Sequence, residues 1–216
     1  MAEAPIPPLP GHDLRPVPTP QLWPIARLII QSWLPHVIRM RSYGLERLPL
    51  TGPVVLAANH RSYIDIFALG MTSPRIVYFM AKQELFKPPV LRFLMPRTGA
   101  IAVDRGAPDR TAIERSRDVL RAGGLLGIYI EGTRHRGGDL DDVKPGVAMI
   151  AAMADAPVIP VCIYGTGQRN PLHAVTIVYG EPMRIAGRGS KAYAAGAEAV
   201  AEEIRRLREW AIANER

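Results

Sequence analysis

The chain has 216 residues, and its 27 Lys and Arg against 20 Asp and Glu give a formal net charge of +7. A chain of this length buries roughly 70% of its unfolded surface as one domain, so it needs no disulfide or metal for stability. Apolar residues make up 48% of it and charged residues 22%, which excludes a disordered acidic protein. The single cysteine, Cys162, excludes a disulfide framework and fits a reduced compartment.

Two segments precede the predicted domain. Residues 1–20 contain seven prolines and predict an extended arm, without the basic stretch and apolar core of a secretory signal. Residues 21–50 mix apolar residues, Trp23 and Trp33 among them, with arginines and have no acidic residue before Glu46. Because charges and prolines interrupt it, this segment predicts an amphipathic helical stretch on an anionic membrane surface rather than a bilayer span. A helix packed on the core is the alternative.

A second apolar and basic stretch runs from Phe86 to Arg97 and contains no acidic residue. Its composition fits a further membrane-facing patch. A core-facing helix kinked at Pro88-Pro89 fits it equally well, because proline removes a helical hydrogen bond. The sequence leaves both interpretations open.

Short apolar runs alternate with helical patterns from residue 51 onward. The runs predict buried strands at 53–58, 75–80, 99–103, 125–130, 157–163 and 174–179. Helical patterns lie near 64–71, 83–95, 108–122, 145–154 and 191–213. This alternation predicts a single α/β domain over residues 51–216, with a mainly parallel central sheet flanked by helices.

The first predicted strand runs directly into Asn59, His60 and, where a helix begins, Asp65. Ligands of open parallel sheets bind at the carboxyl ends of the strands, so a site is favoured here. On a continuous helix the two side chains would point about 140° apart, whereas a strand-to-helix turn can bring the carboxylate onto the imidazole. Such a pair acts as a general base held in one tautomer. A loop histidine beside a helix-capping aspartate is the alternative.

Charged or turn-forming residues follow three further predicted strands: Lys82, Arg105, and the run Glu131, Gly132, Thr133 and Arg134. Arginine forks, a lysine charge and backbone donors at a glycine turn suit a phosphate monoester. Their shared position predicts a phosphate site beside His60, with solvated surface charges as the alternative.

Other candidate residues carry weaker signals. Ser62 lacks the Gly-x-Ser-x-Gly context of a hydrolase nucleophile, so we interpret it as a turn or cap residue. Cys162 lies inside an apolar run and is interpreted as an inert core thiol. His12, His36 and His173 have no partner at metal-ligand spacing, so no metal is expected.

Four motifs in order over residues 53 to about 165 resemble the glycerolipid acyltransferase family, most of all its 1-acyl-sn-glycerol-3-phosphate acyltransferases. The family's NHxSxxD motif is matched from Asn59 to Asp65, and its Gly-x-Ile-x-Val-Asp-Arg block from Gly99 to Arg105. The third motif, usually Phe-Pro-Glu-Gly-Thr-Arg-Ser, and the fourth, Val-Ile-Pro-Val, are matched at 129–135 and 158–161. Departures from the usual residues are Ala102, Ile130 and His135.

The resemblance implies transfer of a fatty acyl chain from an acyl thioester to the hydroxyl of a lysophospholipid, in phospholipid biosynthesis. It implies that His60 is the base and Asp65 its support. Lys82, Arg105 and Arg134 would hold the acceptor phosphate, and Glu131, Gly132 and Thr133 would shape that pocket. We expect 1-acyl-sn-glycerol 3-phosphate as acceptor, and no cofactor beyond acyl-CoA or acyl carrier protein as co-substrate.

The expected location is the cytoplasmic face of the cell membrane, as a peripheral protein on an anionic surface. Related acyltransferases acting on another lysophospholipid, on glycerol 3-phosphate or on a lipid-linked sugar stay open. A basic membrane-binding protein without catalysis is the non-enzyme alternative. Nucleic acid is not an expected partner, because aromatic residues are only 6% and no nucleic-acid motif is present.

Overall fold

The computed structural model describes residues 20–22, 24–25, 27–29, 32, 39–103, 109–133, 140, 142–167 and 174–215. Its strands are β1 Met40–Tyr43, β2 Val54–Ala58, β3 Val77–Lys82, β4 Ala100–Val103, β5 Leu125–Tyr129, β6 Val158–Tyr164 and β7 Val175–Tyr179. Its helices are α1 Ile64–Thr72, α2 Pro89–Arg97, α3 Arg110–Arg121, α4 Gly146–Ala154 and α5 Ser190–Ala213. Short 3-10 turns cover Leu45–Arg47 and Gln83–Phe86.

The strands form one seven-stranded sheet in the order β1-β7-β6-β2-β5-β3-β4. All neighbours run parallel except β6 and β7, which are antiparallel. Helices flank this sheet, so the predicted α/β domain with a mainly parallel sheet is confirmed. All six predicted strands are present, with ends shifted by one or two residues.

The prediction of a helical segment over 21–50 is wrong for residues 40–43. Residues 40–43 form β1, which pairs with β7 from Met40 opposite Val175 to Tyr43 opposite Val178. This four-residue edge strand, Met-Arg-Ser-Tyr, has two exposed residues and lacks the apolar run by which the buried strands were found. Residues 24, 25, 27–29 and 32 are helical. The predicted arm lies, except for residue 20, outside the described residues.

The predicted helix over 83–95 is divided in two at its prolines. A 3-10 turn ends at Phe86, Pro88 is extended with ψ 134°, and α2 begins at Pro89. Proline suits the first position of a helix because its missing N–H would have no partner there. None of the residues of α2 is buried, so the alternative of a core-facing helix is wrong.

The two faces of the sheet carry separate apolar clusters. Val55 and Ala57 of β2 point to the face covered by α3, α4 and α5, while Val54, Leu56 and Ala58 point to the face covered by α1. This alternation follows from the two-residue period of a strand. Within the described residues no helix is long and apolar enough to cross a bilayer.

Gly127 of β5 makes room for an aromatic side chain on the neighbouring strand. A Cβ at this position would lie 2.6 Å from the Phe79 ring and 2.9 Å from Val77. Both neighbours are buried in the core, so neither has free space to move into. The glycine is therefore required by packing.

We expect Gly127→Ala to lower the free energy of unfolding by about 1–3 kcal/mol, because it overpacks the core. Gly146→Ala is the matched control, since a Cβ at the first residue of α4 meets nothing within 4 Å. That control should be neutral or stabilising by up to about 1 kcal/mol. Urea unfolding of both variants makes the comparison, and equal effects would contradict the packing argument.

Candidate active site

The turn between β2 and α1 is folded around the carboxylate of Asp65. Asp65 Oδ2 accepts hydrogen bonds from the backbone N–H groups of Arg61 and Ser62, at 2.6 and 2.7 Å. Asp65 lies in the first turn of α1, where the helix dipole also favours a negative charge. The turn thus bends back on its own side chain, which is the strand-to-helix turn that brings the carboxylate onto the imidazole.

The same carboxylate oxygen lies 2.8 Å from Nδ1 of His60. Asp65 is fully buried and His60 is 4% exposed. With an ionised Asp65 accepting from Nδ1–H, the lone pair of the neutral imidazole is on Nε2, at the far side of the ring. The structure therefore brings the predicted pair together in an arrangement that can accept a proton at Nε2.

The backbone beside His60 is tied to both neighbouring strands. The His60 N–H donates to Oε2 of Glu131, two residues after the end of β5, at 2.7 Å. The Asn59 side chain exchanges two hydrogen bonds with the backbone of Ile163 in β6, at 2.9 and 2.8 Å. Glu131 is 1% exposed, and its Oε1 lies 4.0 Å from the Arg61 guanidinium. These contacts fix the end of β2 relative to β5 and β6.

Among the residues predicted to bind phosphate, those that the structure describes lie at the carboxyl ends of β3 and β5. Lys82 ends β3 opposite Val103 of β4, and its half-exposed ammonium pairs with Glu84 at 3.0 Å. Gly132, with φ 68°, makes the turn after β5, and Thr133 follows it exposed to solvent. Arg105 and Arg134 lie outside the described residues, as does His135.

The remaining candidates occupy structural positions. Ser62 Oγ accepts a hydrogen bond from the N–H of Ile64 at the start of α1, as a turn residue does. Cys162 is fully buried in β6, and burial raises the pKa of its thiol to about 12. Among the described residues no three His, Cys, Asp or Glu side chains are grouped to hold a metal ion.

Two residues at the site were missed by sequence reasoning. The ring of Tyr129 stacks on the His60 imidazole, with 4.0 Å between centroids and 16° between planes. The Arg61 side chain is only 11% exposed and faces Glu131. Tyr129 ends an apolar strand and begins the third motif, and Arg61 stands between two residues of the first motif, but neither pattern shows a contact with His60 or Glu131.

A family model described as Acyltransferase matches residues 39–164, more than half of the chain. The chain belongs to the acyltransferase family. It is 30% identical over 150 residues to a 1-acyl-sn-glycerol-3-phosphate acyltransferase from Bacillus subtilis, covering 67% of this chain and 73% of the relative. It is 32% identical over 131 residues to a chloroplastic 1-acyl-sn-glycerol-3-phosphate acyltransferase from Brassica napus, covering 59% of this chain and 38% of that one.

The fold of this acyltransferase domain is also that of a solved structure. The crystal structure of the 1-acyl-sn-glycerophosphate acyltransferase PlsC from Thermotoga maritima matches with a TM-score of 0.68 and 23% sequence identity. The match covers 87% of this chain and 80% of the Thermotoga chain. It extends beyond the residues matched by the family model, and it supports the same architecture for the sheet and its helices.

We expect the buried thiol of Cys162 to take no part in acyl transfer. Because its pKa is raised to about 12, the folded protein holds almost no thiolate at pH 8. Iodoacetamide should leave Cys162 unmodified in the folded protein and modify it in guanidinium chloride, as measured by mass spectrometry. Cys162→Ala should keep kcat/KM within about twofold of wild type. If Cys162→Ala loses activity while its urea unfolding midpoint equals that of wild type, the thiol has a role in the reaction.

Proposed function

We propose that this protein transfers a fatty acyl chain from an acyl thioester to the free hydroxyl of 1-acyl-sn-glycerol 3-phosphate, producing phosphatidic acid for phospholipid biosynthesis. The observation that carries the proposal is the buried pair of His60 Nδ1 and Asp65 Oδ2, 2.8 Å apart at the carboxyl end of β2. The family and the names of the relatives support the reaction and the acceptor.

In the proposed reaction Nε2 of His60 takes the proton of the acceptor hydroxyl as its oxygen attacks the thioester carbonyl carbon. Asp65 stabilises the imidazolium that forms, and its two backbone hydrogen bonds keep the carboxylate in place. When the tetrahedral intermediate collapses, the C–S bond breaks and the sulfur takes up the proton from Nε2. The products are an ester and a free thiol, so atoms and charges balance without a cofactor.

Recognition of the acceptor is assigned to the carboxyl ends of β3, β4 and β5. Lys82, Arg105 and Arg134 are proposed to bind the phosphate by charge and by guanidinium hydrogen bonds. Glu131 contributes indirectly in this proposal, because its carboxylate is buried against the His60 N–H and the Arg61 side chain. Gly132 and Thr133 shape the turn between the base and the phosphate.

The first test measures thiol release from palmitoyl-CoA with and without 1-acyl-sn-glycerol 3-phosphate. We expect release only with acceptor, and a decrease of about 10²–10⁴-fold in kcat for His60→Ala, since a general base contributes that much. Arg134→Ala should mainly raise the KM for the acceptor. Arg184→Ala is the matched control, because Arg184 pairs with Asp155, before β6 and at the opposite end of the sheet's strands.

The other outcomes of this test assign different functions. Release that does not depend on acceptor would identify a thioesterase and contradict the proposal. Transfer to glycerol 3-phosphate, to another lysophospholipid or to a lipid-linked sugar in place of the proposed acceptor would replace the substrate while keeping the roles of His60 and Asp65. If the protein binds membranes but releases no thiol from acyl-CoA or from an acylated carrier protein, it would be a non-catalytic lipid-binding protein.

We also propose that the protein binds the anionic, cytoplasmic face of the cell membrane through α2 and the helical residues before β1. Val90 and Phe93 of α2 are 67% and 55% exposed, and Leu28, in the helical residues, is 69% exposed. The N–H of Leu22 donates to the Arg97 carbonyl at 3.2 Å, so the two apolar surfaces adjoin. Apolar side chains exposed beside arginines suit an interface of anionic lipids.

Replacing both Val90 and Phe93 by serine should reduce binding to phosphatidylglycerol vesicles severalfold, because it removes apolar surface that the lipid would cover. The matched control replaces Trp210 and Ile212, which are 41% and 45% exposed, by serine. Trp210 contacts Tyr43 of β1, at the opposite edge of the sheet from β4. Vesicle co-sedimentation compares the pairs, and equal binding by all three proteins would contradict the assigned surface.

A further inference from the structure

The imidazole of His60 is covered on one face by an aromatic ring. Tyr129 lies 4.0 Å away, centroid to centroid, with the two planes 16° apart. Phe79 lies nearly parallel to Tyr129 in turn, at 6.0 Å and 10°. The three rings come from the turn after β2, from β5 and from β3, strands that are neighbours in the sheet. All three side chains are buried, with at most 9% exposed.

The stack restricts a motion of the His60 ring that the hydrogen bond to Asp65 does not restrict. Asp65 contacts the edge of the imidazole at Nδ1, in the plane of the ring. A single hydrogen bond at that edge still allows the ring to tilt about it, whereas a parallel ring against its face restricts the tilt. The edge and face contacts together restrict the orientation of the ring that carries Nε2.

The stacked ring also attracts the positive charge that His60 gains in the proposed reaction. The face of an aromatic ring is the negative end of its quadrupole, and it attracts a cation within about 6 Å of the centroid. His60 carries a positive charge only after it has taken a proton, so this attraction is strongest in the charged state. Among the described residues, Asp65 contacts the edge of the imidazole, Glu131 accepts from the His60 backbone N–H, and Arg61 faces Glu131.

We propose that Tyr129 is a positioning residue for the base, whose ring orients the His60 imidazole and stabilises the imidazolium formed during acyl transfer. The inference rests on the proposed function, in which His60 accepts the substrate proton. It assigns the role to the aromatic face of Tyr129 and not to the phenol hydroxyl.

The hydroxyl of Tyr129 is not needed for this role. It is buried and has no hydrogen-bond partner among the described residues. Burial, and then the negative charge of Asp65, raises the pKa of this hydroxyl well above its usual range, so it stays a neutral phenol. An unpaired buried hydroxyl destabilises the folded state, and removing it is neutral or stabilising. Tyr129→Phe is therefore a substitution that keeps the face and removes only the hydroxyl.

The test compares Tyr129→Phe with Tyr129→Leu in the full chain. We expect the phenylalanine variant to keep kcat within about twofold and to unfold at the same or a higher urea concentration. The leucine variant should lose about 2- to 30-fold in kcat, the range that a cation–π contact supplies, with the acceptor KM unchanged. An equal loss in both variants would assign the effect to the hydroxyl and overturn the proposal.

A second series avoids any change of shape. Phenylalanine carrying one, two or five ring fluorines at position 129 fills the same space while its face becomes progressively less negative. We expect kcat to fall in step with fluorination, and a kcat that does not respond would overturn the stabilisation of the imidazolium.

The imidazole signals of His60 in an NMR spectrum test the contact without any substrate. The ring current of a stacked aromatic displaces the imidazole C–H proton resonances, and His60→Ala identifies them among the five histidines of the chain. The displacement should persist in Tyr129→Phe and disappear in Tyr129→Leu, and its persistence in the leucine variant would overturn the stack. If the wild-type protein does not transfer acyl groups, the proposed function is contradicted. The NMR comparison would still show whether Tyr129 stacks on His60.

Discussion

The buried carboxylate of Asp65 is the constraint on which the arrangement of the site depends. A carboxylate with no exposed surface is strongly destabilising unless its charge is compensated. Here Oδ2 alone meets two backbone N–H groups and the His60 imidazole. Because the donors belong to residues 60–62 and the acceptor to the first turn of α1, the chain between them can take only a tight turn. The position of the imidazole follows from the hydrogen bonds to Oδ2.

Side-chain hydrogen bonds hold the turn in the sheet, in place of the backbone hydrogen bonds that join neighbouring strands. Beyond Ala58 the strand pairing of β2 ends, and Asn59 continues it by exchanging two hydrogen bonds with Ile163. On the other side Glu131 accepts from His60 where a strand carbonyl would have done so. These hydrogen bonds hold the backbone of the proposed base His60 in place relative to β5 and β6.

The sequence predicts the elements whose residues are buried in a regular pattern, but it does not predict contacts between residues that are distant along the chain. Six strands and five helical regions follow from apolar runs and helical spacing, whereas β1 has no apolar run because it is a short, half-exposed edge strand. The spacing of His60 and Asp65 alone favoured neither a helix nor a turn, and the bend appears only through the hydrogen bonds to Oδ2. Tyr129 begins the third motif, but the motif does not show its stacking on His60, because that contact depends on which strands become neighbours.

The sheet order relates the buried base to the exposed apolar surface. From β2 the strands β5, β3 and β4 lead to the edge that α2 adjoins, three steps of about 4.8 Å, or roughly 14 Å in all. The proposed acceptor would bridge that distance, with its acyl chain at the apolar surface of α2 and its hydroxyl at Nε2. The carboxyl ends of β3 and β4, where the phosphate is proposed to bind, lie between the two. The proposed membrane contact and the proposed general base would thus lie at the two ends of one binding path along the sheet.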